Sequence, residues 1–175
     1  WWTDYRIMRF RVLFDHDLDP QRRGFQQLRS ILAIGSGQLF GQGYLNGTQT
    51  QSSNSSALPA RHTDFIFAVC GEELGMVGCT LLLLLLAGIV LRCVWVSWHA
   101  SSPFSAYVAM GMGGMLLVQI FLNVGMCLYV LPVMGLTLPF ISYGGSSIVT
   151  LFAAMGIVSS IKAKALPSWL RDRQA

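Results

Sequence analysis

The pattern of polar and apolar positions divides the 175-residue chain near residue 63. Before that point, polar and apolar residues are mixed. Phe25 to Ile34 places apolar residues at 25, 28, 31, 32 and 34, a spacing that predicts a short amphipathic helix ending at Gly35-Ser36-Gly37. Gly35, Gly37, Gly41, Gly43 and Gly47 then punctuate a run in which tight turns or close backbone approach are expected. Gln51 to Ala57 (QSSNSSA) reads as a flexible loop tip. Beyond residue 63, three apolar runs predict transmembrane helices at about 64–91, 106–131 and 141–161, since one span needs about 20 apolar residues. Arg92 closes the first, and Pro132, Gly135 and Pro139 interrupt the chain between the second and third. Lys162, Lys164, Arg171 and Arg173 make a basic tail over 162–175. The expected fold is therefore an all-α membrane protein, a polytopic helical bundle fragment with three transmembrane helices and a large N-terminal extracytoplasmic loop over 1–63.

Composition strengthens the membrane reading. Hydrophobic residues make up 53% of the chain and charged ones 11%, with mean hydropathy +0.53; soluble domains carry about 25% charged residues. From Ala100 to Ile161 there is no Asp, Glu, Lys or Arg. A water-soluble enzyme and a disordered chain are both excluded. The net charge of +4 is small and scattered and gives no reason to expect nucleic acid. Cys70, Cys79, Cys93 and Cys127 lie in apolar segments without C-x-x-C spacing and read as small buried hydrophobes. The glycine run lacks G-x-G-x-x-G and G-K-[ST], so no nucleotide loop is supported. Two sequons, Asn46-Gly-Thr and Asn54-Ser-Ser, carry weight only in a eukaryotic secretory pathway. The chain opens at Trp1-Trp2 without Met, which suggests a piece of something longer. Arg92 and the tail share one face, so the positive-inside rule puts the tail in the cytoplasm and residues 1–63 outside. Seven Arg in the outer segment weigh against this, at a length where the rule loses force.

Three acids stand where burial makes charge costly. Asp64 opens the first span within Arg61-His62-Thr63-Asp64-Phe65-Ile66-Phe67, and Glu72 and Glu73 lie about two turns deeper. A carboxylate at membrane depth costs several kcal/mol unless paired, hydrated or protonated. Asp64 reads either as a helix N-cap or as a base at the water–membrane boundary, with His62 able to share the site. Glu72 and Glu73 point about 100° apart on a helix and read as structural or gating groups. The segment Leu131 to Ser147, LPVMGLTLPFISYGGSS, is either a shaped inter-helix turn or a re-entrant lip whose N–H groups could hold an anion. Ser146 and Ser147 are candidate caps for the third span. A triad of Ser142, His62 and Asp64 lacks any G-x-S-x-G context.

Four stretches in order, AIGSGQLFGQGYLNGTQTQ (Ala33 to Gln51), LPARHTDFIFAVCGEELG (Leu58 to Gly75), NVGM (Asn123 to Met126) and LPVMGLTLPFISYGGSS, resemble the SEDS family, the RodA/FtsW cell-wall polymerases. The resemblance extends from about Tyr5 to Ile161. It implies a bundle of about ten helices, of which this chain supplies the large outer loop and the last three spans. It also implies a peptidoglycan glycosyltransferase of the bacterial plasma membrane that polymerises lipid II, the undecaprenyl-diphosphate-linked disaccharide-pentapeptide, at the outer face during elongation, division or sporulation. A class B penicillin-binding protein is the implied partner, alongside membrane lipid. In the family the Asp of HTDFIF is the catalytic candidate, and that position is Asp64 here. Substrate-binding candidates are Arg9, Gln49, Arg61, His62, Thr63, Ser142, Tyr143, Gly144, Gly145 and Ser146.

No cofactor is evident, and a divalent metal stays open because no ligand cluster argues for one. The sequence departs from the family pattern in an insertion over Ser52 to Ala57, in Arg29 where Gln is more common, in His16 where Asn-Pro is usual, and in Tyr129 where a small residue is common. These departures leave the branch of the family open. Two rival readings are a flippase or transporter for a lipid-linked precursor and a non-catalytic scaffold for a cross-linking enzyme. Asp64 at the outer mouth favours surface chemistry, whereas a transporter would use the deeper Glu72 and Glu73.

Overall fold

A computed structural model describes residues 23–50 and 62–165. The candidate residues Arg9 and Arg61, the loop tip and the end of the basic tail lie outside them. Among the described residues there are four helices: α1 (Arg23–Ser36), α2 (Ile66–Trp98), α3 (Pro103–Cys127) and α4 (Gly145–Ala165). The last three are long and apolar enough to cross a membrane. Their ends differ from the charge pattern. Helix α2 runs past Arg92 to Trp98, because the Arg92 guanidinium lies over the Trp95 ring, 4.4 Å from its centroid, and need not end the helix. Helix α3 begins where Ser102 caps it: the Ser102 carbonyl accepts from Ala106 N and its hydroxyl from Ser105 N, with Pro103 at the first helical position. Helix α4 starts on Gly144, whose carbonyl accepts from Ile148 N. That corrects the expectation of a Ser146 or Ser147 cap; the carbonyls of both serines instead accept the Thr150 hydroxyl.

The chain divides into two units, with α2 and α3 passing from one to the other. In the first, running to Leu82 and over Gln119–Tyr143, α1 buries Gln27, Ser30 and Ala33 while Leu28, Ile31 and Leu32 stay exposed. The amphipathic pattern is thus turned inside out. The reason is the end of α3, whose last carbonyls have no helical donors. Gln27 Nε2 donates to Met126 O (3.2 Å) and Leu131 O (2.7 Å), and Ser30 Oγ donates to Cys127 O (2.9 Å). Tyr129, at φ 61°, ends α3 in the left-handed region that glycine usually supplies.

The glycine run does more than turn. Helix α2 breaks at Gly75 (φ 69°, ψ −168°), and the run enters the break. In an unbroken helix Met76 N would donate to Glu72 O, and Val77 N to Glu73 O. Here Met76 N donates to Gln38 O (2.9 Å) and Val77 N to Leu39 O (3.2 Å). The freed carbonyls of Glu72 and Glu73 accept from Gln42 N (2.9 Å) and Gly43 N (3.1 Å). Two lost helical bonds are replaced by four to the loop, which is how irregular backbone is tolerated at membrane depth. The glycines make the approach: a Cβ on Gly41 would overlap Glu73 O, one on Gly75 would overlap Gly41 N, and one on Gly37 would overlap Gly71 O. Gly75→Ala is expected to lose about 1–3 kcal/mol from its backbone conformation alone, and more from the overlap. Thermal unfolding of the detergent-solubilised protein, together with faster amide exchange at Gln42 and Gly43, checks this.

In the second unit, Leu83–Val118 with the chain from Gly144, the buried apolar residues include Leu86, Val90, Cys93, Val96, Ala109, Leu116, Leu151 and Val158. Gly113 lets α3 approach α2, since a Cβ there would sit 3.0 Å from the Cys93 side chain. Cys79, Cys93 and Cys127 are buried and Cys70 half-buried, all as free thiols.

Candidate functional site

The site is built on the turn that leads into α2. Ala68 N (3.0 Å) and Val69 N (3.3 Å) both donate to Phe65 O, so the helix closes on Phe65 and Asp64 precedes the cap position. The N-cap reading of Asp64 therefore moves to its neighbour. What fixes Asp64 is its own backbone: Asn123, fully buried in α3, donates from Nδ2 to Asp64 O (2.9 Å) and to Leu136 O (2.6 Å). One side chain thus ties the turn to the segment after α3.

That segment closes on the turn from its other end. Buried Ser142 donates its hydroxyl to Thr63 O (2.6 Å) and accepts from Leu138 N (2.8 Å), and Tyr143 N donates to His62 O (2.8 Å). The carbonyls of His62, Thr63 and Asp64 are each held by a different donor. Phe140, at φ 65°, and buried Leu138 and Pro139 shape the segment between. Gly135 (φ 71°) passes beside the carboxylate, where a Cβ would stand 3.7 Å from Asp64 Oδ2. Backbone is thereby pinned on both sides of Asp64 while its carboxyl group faces a glycine.

The predicted site residues separate accordingly. His62, Thr63, Asp64, Ser142 and the Tyr143 backbone come together. Ser142 acts inward, on backbone, and the structure gives its hydroxyl two partners there; the Tyr143 side chain is 79% exposed. Gly144, Gly145 and Ser146 open α4 in the other unit. Gln49 belongs to a second arrangement. The carboxylate of Glu72, fully buried, accepts from Gln49 N (2.7 Å), Thr50 N (3.0 Å) and Thr48 Oγ1 (3.2 Å), and Arg29 donates to Gln49 Oε1 (2.8 Å). Glu72 binds the loop through both its carboxylate and its carbonyl, and the Glu73 carbonyl joins it. Asn123 was the residue the sequence did not single out. Its signal was an amide in a span otherwise free of charge, a position that asks for a hydrogen-bond partner.

Ser142→Ala is expected to cost about 1–3 kcal/mol, because Leu138 N and Thr63 O lose a buried partner together. A lowered unfolding temperature of the solubilised protein measures it.

Three helices long and apolar enough to cross a membrane define a multi-pass helical membrane protein. The chain belongs to the FtsW/RodA/SpoVE family: the model FTSW_RODA_SPOVE, described as cell cycle protein, matches residues 1–166. The SEDS resemblance is thereby borne out. The chain is 46% identical over 158 residues to the peptidoglycan glycosyltransferase MrdB of Escherichia coli K12, covering 90% of this chain and 42% of that protein. It is 41% identical over 162 residues to the probable peptidoglycan glycosyltransferase FtsW of Geobacter sulfurreducens, covering 93% and 42%. Against the stage V sporulation protein E of Bacillus subtilis, identity is 38% over 157 residues, covering 90% and 42%. The chain thus spans less than half the length of these curated relatives. A solved chain from work on the structural coordination of polymerization and crosslinking by a peptidoglycan synthase complex matches with TM-score 0.75 and 30% identity. The match covers 95% of this chain and 45% of that one.

Proposed function

We propose that the protein carrying this chain is a peptidoglycan glycosyltransferase that joins lipid II units into glycan strands, with Asp64 as the general base. The observation that carries the reading is the pinned turn. Asn123, Ser142 and Tyr143 N fix three consecutive carbonyls around Asp64, so its carboxylate is placed by backbone rather than by a flexible stem. Proton transfer needs such placement, because a base works only within hydrogen-bond reach of the proton it takes. The kinship to MrdB and FtsW supports the same activity.

The chemistry balances simply. Asp64 takes the proton of one sugar's 4-hydroxyl as that oxygen bonds to the anomeric carbon of a second sugar. The anomeric carbon's bond to the undecaprenyl diphosphate oxygen breaks, and the diphosphate leaves with the electron pair. The departing anion calls for positive charge or oriented N–H donors; Arg9 and Arg61 are the candidates. The turn before α2 lies at a span's end, so the reading places the reaction at the outer face of the bacterial plasma membrane, with the basic tail cytoplasmic. The complex in the matched structure supports a class B penicillin-binding protein as partner.

The test is the full-length protein in liposomes with fluorescent lipid II. Ladders of glycan strands are expected. Lipid II reaching the opposite leaflet without polymer would instead establish a transporter. Neither polymer nor transfer, with a partner's cross-linking still dependent on the protein, would establish a scaffold.

A further inference from the structure

The second unit holds a group of residues that the polymerase reading does not use. Near the end of α2, the Arg92 guanidinium lies 4.4 Å from the Trp95 ring centroid, and the Lys162 ammonium, from α4, lies 5.5 Å from the same centroid. Two like charges share one aromatic platform. The platform is itself fixed: His99 stacks on Trp95 at 4.4 Å, and His99 Nδ1 donates to Trp95 O at 2.9 Å, which assigns that nitrogen its proton.

Among the described residues of this unit there is no carboxylate to answer those charges. Among the described residues, Asp64, Glu72 and Glu73 are the acids, and all three belong to the other unit. The ring quadrupole offsets part of the cost of holding two cations together, and it supplies no counter-charge. Trp98, Phe104 and Tyr107 around the turn between α2 and α3 are each more than 70% exposed. Exposed aromatic rings at the end of a span mark the headgroup level of a bilayer. At that depth a bilayer presents the phosphates of its headgroups.

We propose that Arg92, Trp95 and Lys162 form a binding site for the headgroup of an anionic phospholipid. The planar guanidinium pairs with two phosphate oxygens, Lys162 adds a point charge, and the indole packs against the glycerol backbone. A zwitterionic headgroup fits poorly, because its own ammonium would approach two cations already held on one ring. The selectivity therefore follows from two cations held on one ring.

Native mass spectrometry of the full-length protein, released from nanodiscs of equal phosphatidylglycerol and phosphatidylcholine, tests this. Retained lipid should favour phosphatidylglycerol by about 10–30-fold, the effect expected of two cations near a membrane surface. Arg92→Gln with Lys162→Gln should bring the ratio near one, and Trp95→Phe should lower it in part. Lys164→Gln, which removes an exposed charge that is not on the ring, should leave it unchanged. Three results would overturn the proposal: a wild-type ratio near one, an unaltered ratio in the double variant, or an equal loss in Lys164→Gln, which would mean diffuse surface charge. Displacement of the lipid by millimolar inorganic phosphate would also overturn it, by making the site one for free phosphate.

Discussion

Asp64→Asn is expected to lower glycan polymerisation by about 10²–10⁴-fold, the range a positioned general base contributes. The substitution keeps the volume and polarity of the side chain and removes its ability to take a proton. The fold should not register it. The bonds that hold the turn run to the carbonyls of His62, Thr63 and Asp64, and none of the three depends on the Asp64 side chain. Initial rates with fluorescent lipid II, beside unfolding temperatures of both proteins, measure the two effects separately. A loss of rate at unchanged stability assigns chemistry to the carboxylate; an equal rate removes Asp64 from the mechanism while leaving the family intact. Gly135 gives a second handle on the same group. Its φ of 71° and its place beside Asp64 Oδ2 mean that a larger residue there would strain the backbone and crowd the carboxylate.

Much of the scaffold was legible because bilayer physics acts on composition. A stretch without charge from Ala100 to Ile161 has few alternatives to membrane helices, and α3 and α4 lie within or close to it. Boundaries were less legible, since a charge at Arg92 reads as an end of the span, whereas its guanidinium lies over the Trp95 ring and the helix continues. The orientation of α1 was hidden for a related reason. An apolar stripe says which face avoids water, but here the buried face is selected by the carbonyls of Met126, Cys127 and Leu131, which only the fold brings near Gln27 and Ser30. The break at Gly75 was also unreadable. A lone glycine inside a helical run is tolerated, and its role here depends on a loop more than thirty residues earlier. Around the candidate site the motif residues were visible, but their division of labour was not. Ser142 was read as a substrate contact, and the structure places its hydroxyl between two backbone groups.

Glu72→Ala is expected to remove a large part of the protein's stability. Its carboxylate, with no exposed surface, accepts from Thr48 Oγ1, Gln49 N and Thr50 N, and Thr50 is fully buried as well. Hydrogen bonds to a charged group contribute about 1.5–3 kcal/mol each, and a buried donor left unpaired costs about 1–3 kcal/mol. Two backbone N–H groups cannot rotate to find water, so a loss of about 3–5 kcal/mol is expected, against a total stability of about 5–15 kcal/mol. Packing offers no compensation. Gly47 lies so close that a Cβ there would stand 2.8 Å from Glu72 Oε2, and the alanine leaves a void beneath it. Graded variants identify the cause. Glu72→Gln retains one acceptor oxygen and should lose less than Glu72→Ala, while Thr48→Val removes one exposed-side donor and should cost about 1 kcal/mol. Unfolding temperature and the monodisperse fraction after solubilisation should follow that order. If Glu72→Ala unfolds within a degree of wild type, the loop is held by the four backbone bonds at the helix break, and the carboxylate is left for a role in gating.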